Sequence, residues 1–157
     1  MFNSAYGRFF QLGYVTYDID AAVADFEQRM GAVRIDLIRD MRDGEGNPIF
    51  IDSLSHLSLP GVELEVIQPR AGWQTVYSEM MPAAGEVARL HHLGFAIEDE
   101  AQWQAARAGL DAAGTPIAVE GGTADVRSVY FDTRAATGHF SELVFRLNPE
   151  KLRPLPR

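Results

Sequence analysis

Four side chains able to bind a metal ion occupy matching places in two similar stretches of this 157-residue chain. Gln11 and His92 each stand immediately before a Leu-Gly-aromatic sequence. Glu65 follows Gln11 by 54 residues, and Glu142 follows His92 by 50. An imidazole, an amide oxygen and two carboxylates would form a neutral shell around a divalent cation, with room for water or two substrate oxygens. Such a shell can stabilise an enediolate or enolate while a carboxylate removes and returns the proton.

Gln11 and His92 are the first residues of the two copies of an internal repeat. The stretches QLGYVTYD at 11–18 and HLGFAIED at 92–99 share a polar-Leu-Gly-aromatic pattern that ends in Asp. Strand side chains alternate between faces, so Gln11 shares a face with Gly13, and His92 with Gly94. We expect each glycine to leave open space beside its ligand, as a substrate pocket above an ion requires.

Each repeat continues into one helix and then three strands. Helices are predicted over 21–30 and 101–113, with Asp18 or Asp20 capping the first and Asp99 the second. Gly31 and Gly114 should end them. The predicted apolar faces are Val23, Phe26 and Met30 in the first helix and Trp103, Ala106 and Leu110 in the second. Strands are predicted to begin at 11 and at 92, and to cover 33–39, 49–59, 62–68, 117–120, 126–131 and 140–146. Gly121-Gly122 is a predicted turn, and a short helix is predicted around 75–80.

Each half therefore has the order β-α-β-β-β, which predicts an α+β fold built from two βαβββ modules. The modules cover about 9–69 and 90–147, are joined by a linker over about 70–89, and form a single domain over 1–157. One module alone would leave a sheet face bare in water. We therefore expect paired curved sheets around a concave cleft, with the helices outside.

Composition excludes several function classes. Lys and Arg total 14 against 22 Asp and Glu, and the net charge of −8 disfavours nucleic acid and anionic membranes as partners. The absence of Cys rules out disulfides, thiol nucleophiles and Cys-ligated zinc. No signal peptide and no apolar run long enough to span a membrane is recognisable, which makes a cytoplasmic location the expectation.

Four sequence pieces in this order resemble the vicinal oxygen chelate superfamily. They are LGYVTYDIDAAVADFEQRMGA, VELEVIQP, HHLGFAIEDEAQWQAARAGLDAAG and VYFDTRAATGHFSELVF, and together they span about residues 9 to 147. That superfamily includes glyoxalase I, methylmalonyl-CoA epimerase, extradiol dioxygenases and bleomycin-resistance proteins. The chain is most similar to the glyoxalase-like branch.

The resemblance places the metal ligands at Gln11, Glu65, His92 and Glu142, a set similar to that of some glyoxalase I enzymes. The donor types suit Zn²⁺ or Ni²⁺, with Co²⁺ or Mn²⁺ as alternatives. The resemblance implies Glu142 as the catalytic base, with Glu65 as the second candidate. Extradiol dioxygenases bind Fe(II) through two His and one carboxylate, so Gln11 disfavours O₂ chemistry. The hypothesis is a divalent-metal-dependent lyase, isomerase or epimerase acting on a small oxygenated substrate through an enediolate or enolate. The resemblance also implies a homodimer.

Two other functions stay open. One is a non-catalytic small-molecule or drug-binding protein of the bleomycin-resistance type, and the other is a sheet face that serves mainly for dimerisation.

Several residues compete with this ligand set. His56, His91 and His139 are alternatives to His92, although His91 should point to the opposite face of its strand. Glu63 shares a strand face with Glu65 and is expected to be a charge at the rim of the site. Arg127 and Arg134 are candidates for binding an anionic group of the substrate.

Overall fold

The structure, a computed structural model, describes residues 6–156 and has a mixed α+β fold. This confirms the predicted fold class. The strands are β1 (Arg8–Val15), β2 (Val33–Ile38), β3 (Ile51–Leu59), β4 (Val62–Pro69), β5 (Arg89–Ile97), β6 (Ile117–Gly122), β7 (Val126–Phe131) and β8 (Phe140–Arg146). The helices are α1 (Ile19–Met30), α2 (Glu100–Ala112) and the short α3 (Arg134–Thr137), with 3₁₀ turns at Ser78–Met80 and Pro149–Lys151.

The two sequence repeats have the same strand topology. The first module is hydrogen-bonded in the order β1-β4-β3-β2, and the second in the order β5-β8-β7-β6. In each module the first strand thus lies beside the fourth. The duplication predicted from the sequence is therefore present in the backbone.

The chain forms two compact units whose boundary passes through β1 and β5. The C-terminal unit comprises the described chain up to Gln11 together with His92–Leu155. The N-terminal unit comprises Leu12–His91 and Pro156. Each of the two leading strands therefore contributes residues to both units.

In the N-terminal unit, α1 packs on one face of the strands. Asp18 is the N-cap and accepts a hydrogen bond from the Ala21 backbone N–H at 3.0 Å, and Gly31 ends the helix with a left-handed φ of 68°. The core combines the helix residues Ile19, Ala22, Val23 and Phe26 with Leu57, Leu64 and Val66 of β3 and β4. Met30, predicted to share this face, is 46% exposed, because the chain leaves the helix at the next residue.

In the C-terminal unit, α2 packs in the same way. Asp99 is its N-cap and accepts from the Gln102 N–H at 2.8 Å. The core contains Trp103, Ala106 and Leu110 as predicted, together with Val129, Phe131, Leu143 and Phe145 from β7 and β8. The predicted Gly121-Gly122 turn is wrong, because both glycines belong to β6 and the connection to β7 follows them.

Strand alternation then fixes where the polar side chains lie. Leu64 and Val66 of β4 face α1, so Glu65 between them lies on the opposite face of that strand. Leu143 of β8 belongs to the core around α2, so Glu142 lies on the face away from that helix. In each unit, a predicted ligand therefore occupies the face that carries no helix.

Among residues 6–156, no helix is both long enough and apolar enough to cross a membrane.

Candidate metal centre

Three of the four predicted ligands come together in the C-terminal unit, around His92. The His92 Nε2 atom lies 3.4 Å from Gln11 Oε1 and 3.4 Å from Glu142 Oε2. All three side chains are buried, with exposures of 0% for His92, 5% for Gln11 and 7% for Glu142. Both distances exceed the range of about 2.7 to 3.2 Å that is usual for N–H···O hydrogen bonds.

The spacing suits donor atoms arranged around one ion. Two ligand atoms, each about 2.1 Å from a metal and separated by a tetrahedral angle, lie about 3.4 Å apart. The His92 nitrogen has this separation from both oxygens. The donor types are also suitable, since imidazole nitrogen and amide and carboxylate oxygens bind divalent first-row cations. The residues present therefore fit a divalent metal.

The strands place these ligands by register. Gln11 and His92 are each the fourth residue of their strand, β1 and β5, rather than the first as predicted. The parallel pairing of β5 with β8 puts Gly94 opposite Glu142 and Phe140 opposite His92. Because paired residues share a face, His92 and Glu142 are diagonal neighbours on one face of the sheet.

Gly94 occupies a position where any larger residue would collide with the Gln11 side chain. A Cβ placed on Gly94 would lie 2.9 Å from the Gln11 Cβ and 3.0 Å from its Oε1. The expectation that Gly94 leaves open space for substrate is therefore wrong, because the Gln11 side chain fills that space. The glycine instead allows Gln11 to approach His92.

Aromatic side chains line the same face. Tyr130 lies opposite Glu142 in the β7–β8 ladder, and its ring meets the His92 imidazole edge-on with centroids 5.0 Å apart. Phe140 is fully buried, and its ring lies 4.4 Å below the guanidinium of Arg134. An apolar surround strengthens electrostatic interactions and makes an uncompensated buried charge costly. It therefore favours a cation at the two buried oxygen ligands.

The fourth predicted ligand, Glu65, lies in the N-terminal unit beside a histidine. Glu65 of β4 pairs with His56 of β3, and the His56 Nε2 is 3.5 Å from Glu65 Oε1. The other ring nitrogen, Nδ1, lies 2.9 Å and 3.0 Å from the two carboxylate oxygens of Asp36. No sequence pattern indicates this cluster, because its residues meet only through the pairing of β2 with β3.

Burial alone would lower the pKa of His56, but its neighbours reverse that effect. The contact with Glu65 and the negative charges of Glu65, Glu63 and Asp36 raise the pKa to about 9. His56 is therefore an imidazolium at neutral pH.

Glu63 corrects a further prediction. We expected it to be a charge at the rim of the site, yet it is only 5% exposed. It lies two residues from Glu65 in β4, so both carboxylates occupy the face of that strand opposite α1. Its negative charge contributes to the raised pKa of His56.

The other candidates lie elsewhere. His91 is buried against the Tyr77 ring, and its Nε2 lies 3.0 Å from the Val76 carbonyl oxygen. His139 places its Nδ1 2.9 Å from the Phe140 carbonyl oxygen. Arg127 pairs with Glu100 at 2.7 Å.

Arg127 and Arg134 lie in different surroundings. The Arg127 guanidinium also lies over the Trp103 and Phe145 rings, on the helix side of the sheet and away from His92. This placement argues against a role for Arg127 in binding substrate at His92. Arg134 is paired with Asp132 at 2.6 Å.

The sequence comparison identifies the family. The model of the Glyoxalase/Bleomycin resistance protein/Dioxygenase superfamily matches residues 10–131, a span that includes Gln11, Glu65 and His92. The chain belongs to this superfamily. The vicinal oxygen chelate resemblance found from the four sequence pieces is thereby confirmed. A comparison with curated proteins gives no match.

Several solved structures share this fold. Methylmalonyl-CoA epimerase from Mycobacterium tuberculosis aligns with a TM-score of 0.68 at 17% identity, over 96% of this chain and 95% of that one. A variant of the Streptomyces coelicolor epimerase in complex with 2-nitronate-propionyl-CoA aligns with a TM-score of 0.64 at 16% identity, over 90% and 98%. A methylmalonyl-CoA epimerase in complex with methylmalonyl-CoA and NH₄⁺ has a TM-score of 0.65 at 17% identity, over 91% and 96%. At these identities the likeness shows the fold alone.

Proposed function

We propose that the protein is a divalent-metal-dependent epimerase or isomerase of the glyoxalase-like type, or a lyase that uses the same chemistry. The observation that carries this proposal is the position of His92 Nε2, which is 3.4 Å from two buried oxygen ligands, Gln11 Oε1 and Glu142 Oε2.

We propose Glu65 as the fourth ligand. One feature supports this. Glu65 lies in the last strand of the first module, as Glu142 does in the second, and both lie on the face away from the helix of their unit.

The donor set suits Zn²⁺ or Ni²⁺ first, with Co²⁺ or Mn²⁺ as alternatives. When bound, such an ion supplies a Lewis acid that polarises a carbonyl oxygen and raises the acidity of the neighbouring C–H. Cysteine is absent from the chain, so thiolate ligands do not compete for the ion.

The carboxylates perform the proton transfer in this proposal. Glu142 accepts the proton from the carbon next to the carbonyl, and the C–H electron pair moves into the carbonyl group. Return of a proton from Glu142 to the same face of that carbon completes an exchange. Inversion instead needs a second, protonated acid that donates its own proton to the opposite face while Glu142 keeps the one it removed, and Glu65 is the candidate for that acid.

The substrate in this proposal is a small oxygenated molecule with an acidic C–H next to a carbonyl. Thioesters belong to this class, and two of the similar structures are complexes with CoA compounds, 2-nitronate-propionyl-CoA and methylmalonyl-CoA. Hydroxy-ketones and α-ketoaldehyde adducts have the same reactive group and remain in the candidate set.

Solvent exchange tests the proposal without knowledge of the substrate. The protein, loaded in turn with Zn²⁺, Ni²⁺, Co²⁺ or Mn²⁺, is incubated in D₂O with thioesters, hydroxy-ketones and α-ketoaldehyde adducts. Metal-dependent deuterium incorporation at the carbon next to the carbonyl is the expected result. Binding of a panel member without exchange in any metal form would instead favour the bleomycin-resistance type of binding protein.

We also propose that the protein is a homodimer, as the family resemblance implies, and that it is cytoplasmic. Light scattering on the purified protein tests the assembly, and a mass of about 35 kDa, twice the 17.4 kDa of one chain, is expected.

A further inference from the structure

We propose that His56 is a positioning residue, held by Asp36, that fixes the carboxylate of Glu65 for metal binding. This inference rests on the proposed function, in which Glu65 is a ligand. All three residues belong to the N-terminal unit.

Asp36 holds the His56 ring through two kinds of contact. Its carboxylate oxygens lie 2.9 Å and 3.0 Å from His56 Nδ1, and its Oδ1 also accepts the His56 backbone N–H at 2.8 Å. The backbone of Asp36 is fixed as well, because its carbonyl accepts the Ser55 hydroxyl at 2.6 Å. The imidazole therefore has little freedom to rotate.

An irregularity in the sheet brings Asp36 to this position. The β2–β3 register pairs Arg34 with Leu57 and then Asp36 with His56, so Ile35 is an extra residue at a bulge. In a regular ladder, Ile35 would stand opposite His56. Bulges re-aim side chains and are over-represented beside active sites. This bulge places a carboxylate, instead of an isoleucine, opposite the imidazole.

With Nδ1 held by Asp36, the opposite ring nitrogen is aimed at Glu65. His56 Nε2 lies 3.5 Å from Glu65 Oε1 across the β3–β4 pair, and the side chains are only 15% and 16% exposed. Metal-binding carboxylates are commonly oriented by such partners, whose loss weakens metal binding by about 10- to 100-fold. The chain Asp36–His56–Glu65 has the connectivity expected of this role.

A merely structural ion pair predicts a different outcome. If His56 only stabilised the sheet, every substitution would lower the melting temperature, and metal affinity would follow stability. A positioning role depends instead on which ring nitrogen is replaced. The amide nitrogen of Gln reaches about as far as Nε2, whereas that of Asn reaches about as far as Nδ1.

The experiment measures Zn²⁺ affinity by calorimetry for the wild type and for His56→Gln, His56→Asn and His56→Leu, with melting temperatures recorded for each. We expect His56→Leu and His56→Asn to bind about 10- to 100-fold more weakly, and His56→Gln to recover most of the affinity. His139→Gln is the matched control, since His139 contacts its neighbouring backbone and should leave affinity unchanged. If His56→Leu fails to fold, the comparison of Gln with Asn carries the test.

The outcomes separate this inference from the function on which it rests. Equal affinity in wild type and all three variants would overturn the positioning role alone. An equal loss in all three, in step with melting temperature, would do the same by assigning His56 a structural role. No Zn²⁺ binding by the wild-type protein would overturn the proposed function, and this inference with it.

Discussion

Gln11 occupies the space that a side chain at Gly94 would need. A Cβ on Gly94 would come within 2.9 Å of the Gln11 Cβ, a contact that real Cβ atoms essentially never make, and within 3.3 Å of Phe10 Cε1. The atom that must move is close to the β1 backbone, so adjustment is difficult. The fit between these two residues is therefore part of the candidate metal centre.

Gly94→Ala should consequently displace Gln11. We expect a loss of about 1–3 kcal/mol in the free energy of unfolding, typical of overpacking, together with weaker Zn²⁺ binding. Urea denaturation and calorimetry measure the two effects. Gly109→Ala in α2, where an added Cβ meets nothing within 4 Å, is the control and should leave Zn²⁺ binding unchanged. Unchanged stability and affinity in Gly94→Ala would show that Gln11 is not held in this position.

Glu142→Gln and Glu65→Gln test the proton transfer. Each substitution keeps an amide oxygen able to bind metal, so Zn²⁺ should remain bound. Glu142→Gln removes the base, and deuterium exchange should fall by about 10²–10⁴-fold, whereas Glu65→Gln should lose inversion and retain exchange. Mass spectrometry of the substrate measures the exchange. Glu98→Gln, at an exposed carboxylate outside the site, should exchange at the wild-type rate. Full exchange in Glu142→Gln would rule out its carboxylate as the base.

The stability of the metal-free protein should depend on the charge of His56. Its pKa of about 9 in the folded protein lies above the ordinary value of 6.5. The stabilisation is therefore complete below about pH 6.5 and is lost as the pH rises through 9. It amounts to at most about 3 kcal/mol.

Urea denaturation at pH 6 and pH 9.5, with a chelator present, measures this loss. His56→Gln, which cannot become charged, should lack this part of the pH dependence. The same decrease in stability in both proteins would assign the effect to other groups.

The N-caps of α1 and α2 should contribute equally to the free energy of unfolding. Asp18 and Asp99 each accept one hydrogen bond from the backbone N–H three residues later, at 3.0 Å and 2.8 Å. Replacing either by Ala should cost about 1 kcal/mol in the free energy of unfolding. Asp111→Ala, in the last turn of α2, is the control and should cost little. A large difference between the two caps would argue against equivalent helix starts.

Much of this fold follows from local patterns. The strands at Val126–Phe131 and Phe140–Arg146 have the predicted bounds, because alternation and flanking turns define them without ambiguity. The first strand begins earlier than predicted, since Arg8, Phe9 and Phe10 belong to β1 but precede the repeated octet. The Gly121-Gly122 pair resembles a turn locally, but pairing with β7 extends it as a strand.

The candidate site also combines features that the sequence predicts with features that depend on strand pairing. Repeat spacing predicts His92, Gln11 and Glu142 as neighbours because equivalent strands carry equivalent side chains. The burial of Glu63 and the Asp36–His56–Glu65 chain depend on sheet pairing and on the bulge at Ile35, which no sequence pattern marks. These features could be found only in the fold.

Crystals soaked in Zn²⁺ and recorded at the zinc absorption edge test the metal site most directly. The account predicts one strong anomalous peak about 2.1 Å from His92 Nε2, with oxygens of Gln11, Glu65 and Glu142 as the other protein ligands. A peak bound to other residues, or none at a Zn²⁺ concentration that saturates the protein in solution, would contradict it.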